Sequence, residues 1–379
     1  MPPLEQQDKI LADAGLEGVV ATTSSICTIV GSQLTYRGYD IDDLAEHSNF
    51  EEVVYLLWHG SLPKAQELEQ LRADLAANAV VPPQVIEALR RFPASAKPME
   101  ALRTAVSQLA LYDPDDLDMG AAANHRKALR LTAQIPTLVA AFHRLREGLE
   151  PVHPRAGRST ADNFLWMLFG KEPDPVAVEA MDKALILHAD HELNASTFAA
   201  RVTAATLSDI HSAIVSAIGA LKGPLHGGAN EAVAAMLETI GTVENTAPWL
   251  RDALARKEKI MGFGHRVYKD GDPRAKHLKH MARMLSERSG DTRWYEMSLL
   301  IEDTITRDKH LPANVDFYSA TVYTQLGIPR DLFTPIFAVS RVSGWTAHVL
   351  EQYENNRLIR PRAQYTGPVN QVWAPFEKR

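Results

Sequence analysis

The stretch Lys259–Leu278, KIMGFGHRVYKDGDPRAKHL, passes from a glycine-punctuated loop into a helix. Leu278, Met281, Ala282 and Leu285 fall at i, i+3, i+4 and i+7, the spacing of one buried helical face. Asp272 reads as the N-cap and Pro273 as the first helical residue, which puts the cation Arg274 in a first turn where the helix dipole opposes it. Gly262 and Gly264 lack the third glycine and the preceding strand of a dinucleotide fingerprint, so a Rossmann reading fails. Helical spacing recurs through the chain, and the expected fold class is all-α.

Strands are scarce. Ser25 to Val30 and Gln33 to Tyr36 flank Gly31-Ser32 as a short N-terminal hairpin. Ser48 and Glu51 read as a capping box before a helix over Phe50 to His59, which Gly60 and Pro63 stop. Gly148 and Gly241 end other helices, while Pro82-Pro83 and the loop from Glu150 to Gly157 break helices.

The chain has 379 residues, 45% hydrophobic and 23% charged, enough for a large core, and two domains are expected. Its 40 Lys plus Arg against 47 Asp plus Glu give a formal charge of -7, which provides no global field for nucleic acid. An anionic ligand must therefore be caught by local cations. The single cysteine, Cys27, forms no internal disulfide, and no signal peptide or membrane-length apolar run is evident. The expectation is a cytoplasmic protein.

Three more polar clusters sit near helix ends. LHADHELNAS (187–196) places His188 and His191 three apart, with Asn194 a turn beyond, as if on one helical face. The spacing matches neither H-E-x-x-H nor H-x-x-E-H, so no metal site is expected. Hydrogen-bonded core histidines are the plainer reading. LKGPLHGGANEAV (221–233) sets His226 ahead of a helix start, where the dipole disfavours imidazolium and a neutral ring can donate to an oxygen gaining charge. In LPANVDFYSATVY (311–323), Asn314 can cap a helix with Asp316 in its first turn.

In order, HADHE, GPLHGG, GFGHRVYKDGDPR, NVDFYSA, TPIFAVSRVSGW and NRLIRPRAQYTG resemble the motifs of the citrate synthase family. The resemblance covers most of the chain from Arg37 onward and is nearest to the short bacterial forms. It implies a nearly all-helical, two-domain fold, with residues 1–226 and 327–379 in a large domain and 227–326 in a small domain closing over the substrates. It also implies condensation of acetyl-CoA with oxaloacetate and hydrolysis to citrate and CoA, a step of the tricarboxylic acid cycle, with no cofactor beyond the thioester. Asp316 would be the base on the acetyl methyl, His226 the donor to the thioester oxygen and His265 the group polarising the ketone. Arg274, Arg341 and Arg360, with His191 and Asn194, would hold the dicarboxylate. Arginine suits that task because its planar fork pairs carboxylates. Arg360 would reach into the partner's site in a homodimer. CoA would lie along Ile260, Met261, Gly262, Phe263 and Gly264, with Lys269 and Lys309 near its phosphates.

For Arg341 the residues alone favour a mid-helix arginine snorkelling past Val339 and Val342. Within the family, 2-methylcitrate synthase competes, differing by one methylene on the acyl group. Outside it, the alternatives are a metal-dependent hydrolase using His188 and His191 and a noncatalytic helical interaction protein.

Overall fold

A computed structural model describes residues 14–16, 18–265, 267–268 and 271–379. It carries a three-stranded antiparallel sheet, β1 (Cys27–Val30), β2 (Gln33–Tyr36) and β3 (Tyr39–Asp40), and sixteen α-helices. The first eight are α1 (Ile41–His47), α2 (Phe50–His59), α3 (Ala65–Asn78), α4 (Pro83–Arg90), α5 (Pro98–Leu109), α6 (Ala121–Arg146), α7 (Thr160–Phe169) and α8 (Pro175–His188). The rest are α9 (Ala195–Ala204), α10 (Ile210–Leu221), α11 (Ala229–Ile240), α12 (Val243–Ala255), α13 (Ala275–Ser289), α14 (Arg293–Lys309), α15 (Val315–Gln325) and α16 (Phe333–Glu354). The fold is mainly helical, as the spacing requires, and none of the described helices is long and apolar enough to cross a membrane.

The hairpin registers Cys27 with Tyr36 and Val30 with Gln33, and Tyr39–Asp40 adds a third strand. Two helix starts differ from the sequence reading. The capping box of α2 is made by Asn49 and Glu52, one residue later than Ser48 and Glu51, because the Asn49 side chain reaches the Glu52 N–H. Helix α13 begins at Ala275, with Arg274 in the capping position, while Asp272 Oδ1 accepts the Arg274 N–H at 3.1 Å and its carboxylate also takes the Arg274 guanidinium. That pairing also removes the conflict of a bare cation with the helix dipole. Gly60 closes α2 in the left-handed conformation, as the sequence indicated.

Helix α16 runs through the core, buried along most of its length and packed on α2, α6, α8, α9 and α10. Gly344 permits its approach to the end of α8: an added Cβ would lie 2.4 Å from the Ala189 carbonyl and 2.4 Å from the Asp190 carboxylate. The backbone must therefore part for any larger residue. Helices α11 to α15 pack on one another, α13 and α11 on α15 and α12 on α14, and meet the remainder through α13 against α8 and α11 against α16.

Gly344→Ala is expected to cost at least about 1–3 kcal/mol of stability through overpacking. It should also weaken binding of a dicarboxylate, since Arg341 lies one turn away. Thermal unfolding and ligand titration of the variant check both.

Candidate active site

One cleft of about 590 Å³ is lined by His191, Asn194, His226, His265, Arg274, Asp316, Phe337 and Arg341. Its polar side chains come from the α8–α9 connection, the loop before α11, helix α16, and the paired loops ahead of α13 and α15. The last two are joined by backbone. Gly264 N–H donates to Pro312 O, Asn314 N–H to Gly262 O, and the Asn314 amide to Gly264 O, each at 2.9 Å. His265 and Asp316 are thereby held beside each other.

The Asp272 carboxylate strengthens this joint. It accepts from Arg274 Nε and Nη2 at 2.8 Å each and from the Val315 N–H at 2.9 Å. Its side chain is fully buried, as is nearly all of Arg274. Burial raises the carboxyl pKa, but the guanidinium outweighs it and holds Asp272 below its ordinary range. Arg274 keeps Nη1 and one Nη2 proton for another anion.

Asp316 stands in the first turn of α15, whose N-cap Asn314 accepts its N–H at 3.1 Å, as expected. Burial pushes its carboxyl up to about 6, against the pull of Arg274. The result is a carboxylate basic enough to work near neutrality and still ionised there. His226 is moved the other way, down to about 4, first by burial and then by Arg341. The cause differs from the dipole effect expected from the sequence, but the outcome, an uncharged ring, is the same.

The tautomers follow from donors that have no choice. The Ser196 N–H lies 3.3 Å from His226 Nε2, and a backbone amide only donates, so Nε2 bears the lone pair and Nδ1 the proton. The Ser196 hydroxyl, 2.8 Å from the same nitrogen, is itself held by Trp345 Nε1 at 3.1 Å. For His265 the logic reverses: Val267 and Tyr268 N–H groups point at Nδ1 from 3.0 and 3.3 Å, placing the proton on Nε2. Gly227 locks the loop, because an added Cβ would sit 2.4 Å from the Leu221 carbonyl.

Arg341 is not a snorkelling residue. It is 1% exposed, donates from Nε to the His188 carbonyl at 2.6 Å and lies over the Phe337 ring. Both of its Nη groups remain for a forked carboxylate contact. His188 and His191 do not share a helical face: α8 ends at His188, and His191 lies in the connection to α9, capped by Asn194. His188 Nδ1 bonds the Ala184 carbonyl at 2.7 Å, whereas His191 Nε2 meets the Tyr268 hydroxyl at 3.0 Å. Burial, reinforced by Arg274 and Arg341, keeps His191 uncharged.

The other expected contacts that fall on described residues do not line the cleft. The segment from Ile260 to Gly264 does not line it, and its polar atoms are partly spent on 312–314. Lys309 is exposed at the end of α14, Arg360 is exposed beyond α16, and Lys269 lies outside the described residues. Three residues escaped the sequence reading. Ser196 fixes His226, Tyr268 meets His191, and buried Asp190 accepts from Glu192 N–H at 3.2 Å while lying 3.3 Å from His348 Nε2. Only its place within the HADHE motif could have drawn attention to Asp190, while Ser196 reads locally as half of a sequon.

The sequence model of the citrate synthase C-terminal domain matches residues 15–362. The chain belongs to the citrate synthase family. It is 63% identical over 97% of its length to citrate synthase 2 of Bacillus subtilis, covering 99% of that protein. It is also 45% identical to a 2-methylcitrate synthase of Mycobacterium tuberculosis, over 94% of this chain and 91% of that one. Among solved structures, citrate synthase from Pyrobaculum aerophilum is 44% identical with a TM-score of 0.90, over 97% and 95% of the two chains. The ternary complex of the Thermoplasma acidophilum enzyme with carboxymethyl coenzyme A and oxaloacetate is 35% identical with a TM-score of 0.90, over 97% and 99%. Family membership excludes the metal-hydrolase and noncatalytic alternatives.

Ser196→Ala should lower kcat by roughly 10–100-fold without comparable loss of dicarboxylate affinity, since it removes the hydroxyl contact to His226 Nε2 and leaves only the weaker backbone N–H on the ring, with the arginines in place. Steady-state kinetics beside equilibrium titration separates the two effects.

Proposed function

We propose that the chain is an acyltransferase that condenses acetyl-CoA with oxaloacetate and hydrolyses the product thioester to citrate and CoA. The observation that carries this reading is the convergence of Asp316, His226 and His265 on one cleft, with the carboxylate raised and the His226 imidazole uncharged.

Asp316 takes a proton from the acetyl methyl. A carboxylate is too weak a base for a thioester C–H alone, so His226 Nδ1–H donates to the carbonyl oxygen as charge develops there. The resulting enol or enolate carbon attacks the ketone of oxaloacetate, and His265 Nε2–H takes up the alkoxide charge. Water then cleaves the citryl thioester, releasing CoA. Arg341 by its open fork and Arg274 by its remaining edge hold the dicarboxylate, with His191 and Asn194 beside them. No cofactor is required beyond the CoA substrate.

Residues 227–326, built from α11 to α15, act as the small domain and bring His265 and Asp316 toward His226 on closure. The chain works as a homodimer. Arg360 is exposed and does not line the cleft, and the C-terminal segment that carries it exposes Leu358, Tyr365, Val369, Val372, Trp373 and Phe376, apolar surface suited to a second copy. Arg360 would enter the partner's site from that segment. CoA runs past Ile260 to Gly264, with Lys269 and Lys309 at its phosphates. The setting is the cytoplasm and the tricarboxylic acid cycle.

The similarity to the Bacillus citrate synthase exceeds that to the 2-methylcitrate synthase, which favours the two-carbon acyl group. The kcat/KM for acetyl-CoA should exceed that for propionyl-CoA. Since one methylene is worth about 1–3 kcal/mol, the ratio should lie near 10–200. A preference for propionyl-CoA assigns the 2-methylcitrate reaction instead.

Asp316→Asn should lose about 10²–10⁴-fold in kcat while still binding oxaloacetate. The same variant should be more stable. Because the folded-state pKa is raised, ionising Asp316 opposes folding, by nothing below pH 4 and fully above pH 6. The gain should reach about 1–3 kcal/mol at pH 8 and vanish near pH 4. Unfolding curves at the two pH values read it directly.

A further inference from the structure

Away from the cleft, the loop between α5 and α6 meets the start of α10 in a cluster of carboxylates around one buried imidazole. Donor atoms of Asp116, Asp209 and His211 all lie within 4.8 Å of one another. His211 is 2% exposed, and its two nitrogens are treated differently. Nε2 faces Asp113 Oδ2 at 3.4 Å. Nδ1 is buried with no hydrogen-bond partner and lies 3.8 Å from Asp209 Oδ1, too far for a hydrogen bond.

The surrounding charges are unevenly balanced. Asp113 is clamped by Arg130 through Nε at 2.9 Å and Nη2 at 2.6 Å, and Asp115 by Arg126 and Arg130 at 2.6 Å each. Asp116 and Asp209 have no lysine or arginine within 4.0 Å among the described residues. Asp209 caps α10, accepting the Ser212 N–H at 2.8 Å and the Ser212 hydroxyl at 2.6 Å, which fixes its orientation. Asp113 orients the ring from behind, the carboxylate–histidine arrangement that supports metal-ligating imidazoles. A buried, unpartnered nitrogen beside Asp209, with an Asp116 oxygen in the same cluster, is an arrangement that a bound cation would complete.

We propose that Asp116, Asp209 and His211 Nδ1 bind one divalent transition-metal ion, Mn²⁺ or Zn²⁺, that staples the α5–α6 loop to α10. One nitrogen and two carboxylates suit those ions. Ligand atoms at about 2.1 Å from one ion lie at most about 4.2 Å apart, so the 3.8 Å spacing fits and Asp116 needs only a small inward shift. The role is structural, remote from Asp316 and His226.

The test uses the full-length protein stripped by chelator and titrated at pH 7.5 with MnCl₂ and, separately, ZnCl₂. One ion should bind per chain and raise the melting temperature by several degrees. Asp116→Asn, at a partly exposed position, should fold normally yet bind at least tenfold more weakly and lose the thermal shift. His211→Gln should do the same. Absence of binding by either ion, or binding and thermal shift unchanged in Asp116→Asn, overturns the proposal, the latter by locating the metal elsewhere.

Discussion

The geometry of the cleft depends on one buried ion pair. Asp272 is lodged between the Arg274 guanidinium and the Val315 N–H, so a single carboxylate fixes both a cleft-lining cation and the start of the helix bearing Asp316. Taking both charges from water is costly unless every lone pair finds a donor. Here the two oxygens receive the guanidinium fork and two backbone N–H groups. The pair is thus less a source of stability than a way of holding two functional groups in register, and removing either partner would strand a buried charge.

Around this joint, burial does opposite things to opposite kinds of acid. It lifts Asp316 toward neutrality and keeps His226 and His191 uncharged, because the charged form is the one excluded in each case. Backbone amides then choose the tautomers. Ser196 leaves the His226 proton on Nδ1, and Val267 and Tyr268 leave that of His265 on Nε2. One raised carboxylate and two imidazoles with assigned protons thus share the cleft, the kind of preorganisation that electrostatic catalysis would use.

Much of this was legible in the chain. The 3.6-residue period gave the helices, Asn314 and Gly60 marked ends that the structure places at those residues, and the ordered motifs named most of the residues that line the cleft. What escaped had local competitors. Asn49 displaced Ser48 as a cap because both have suitable side chains, and α13 starts two residues later than the Asp272-Pro273 pair suggests. His188 and His191 are three apart, but the helix ends between them. Ser196 and Asp190 also make contacts with distant segments, Trp345 and His226 in one case and His348 in the other, which no window of sequence displays. Nor does any window of sequence show that Gly262 and Gly264 are tied through their backbone to 312–314.

Burial is what would make Asp316 a base poised near neutrality. The most direct measurement is the ¹³C carboxyl shift of Asp316 in the unliganded protein, assigned by its loss on changing the residue to asparagine and followed from pH 4 to 8. A midpoint near 6 is predicted. A carboxyl that titrates at the ordinary aspartate value, about 4, would contradict the account.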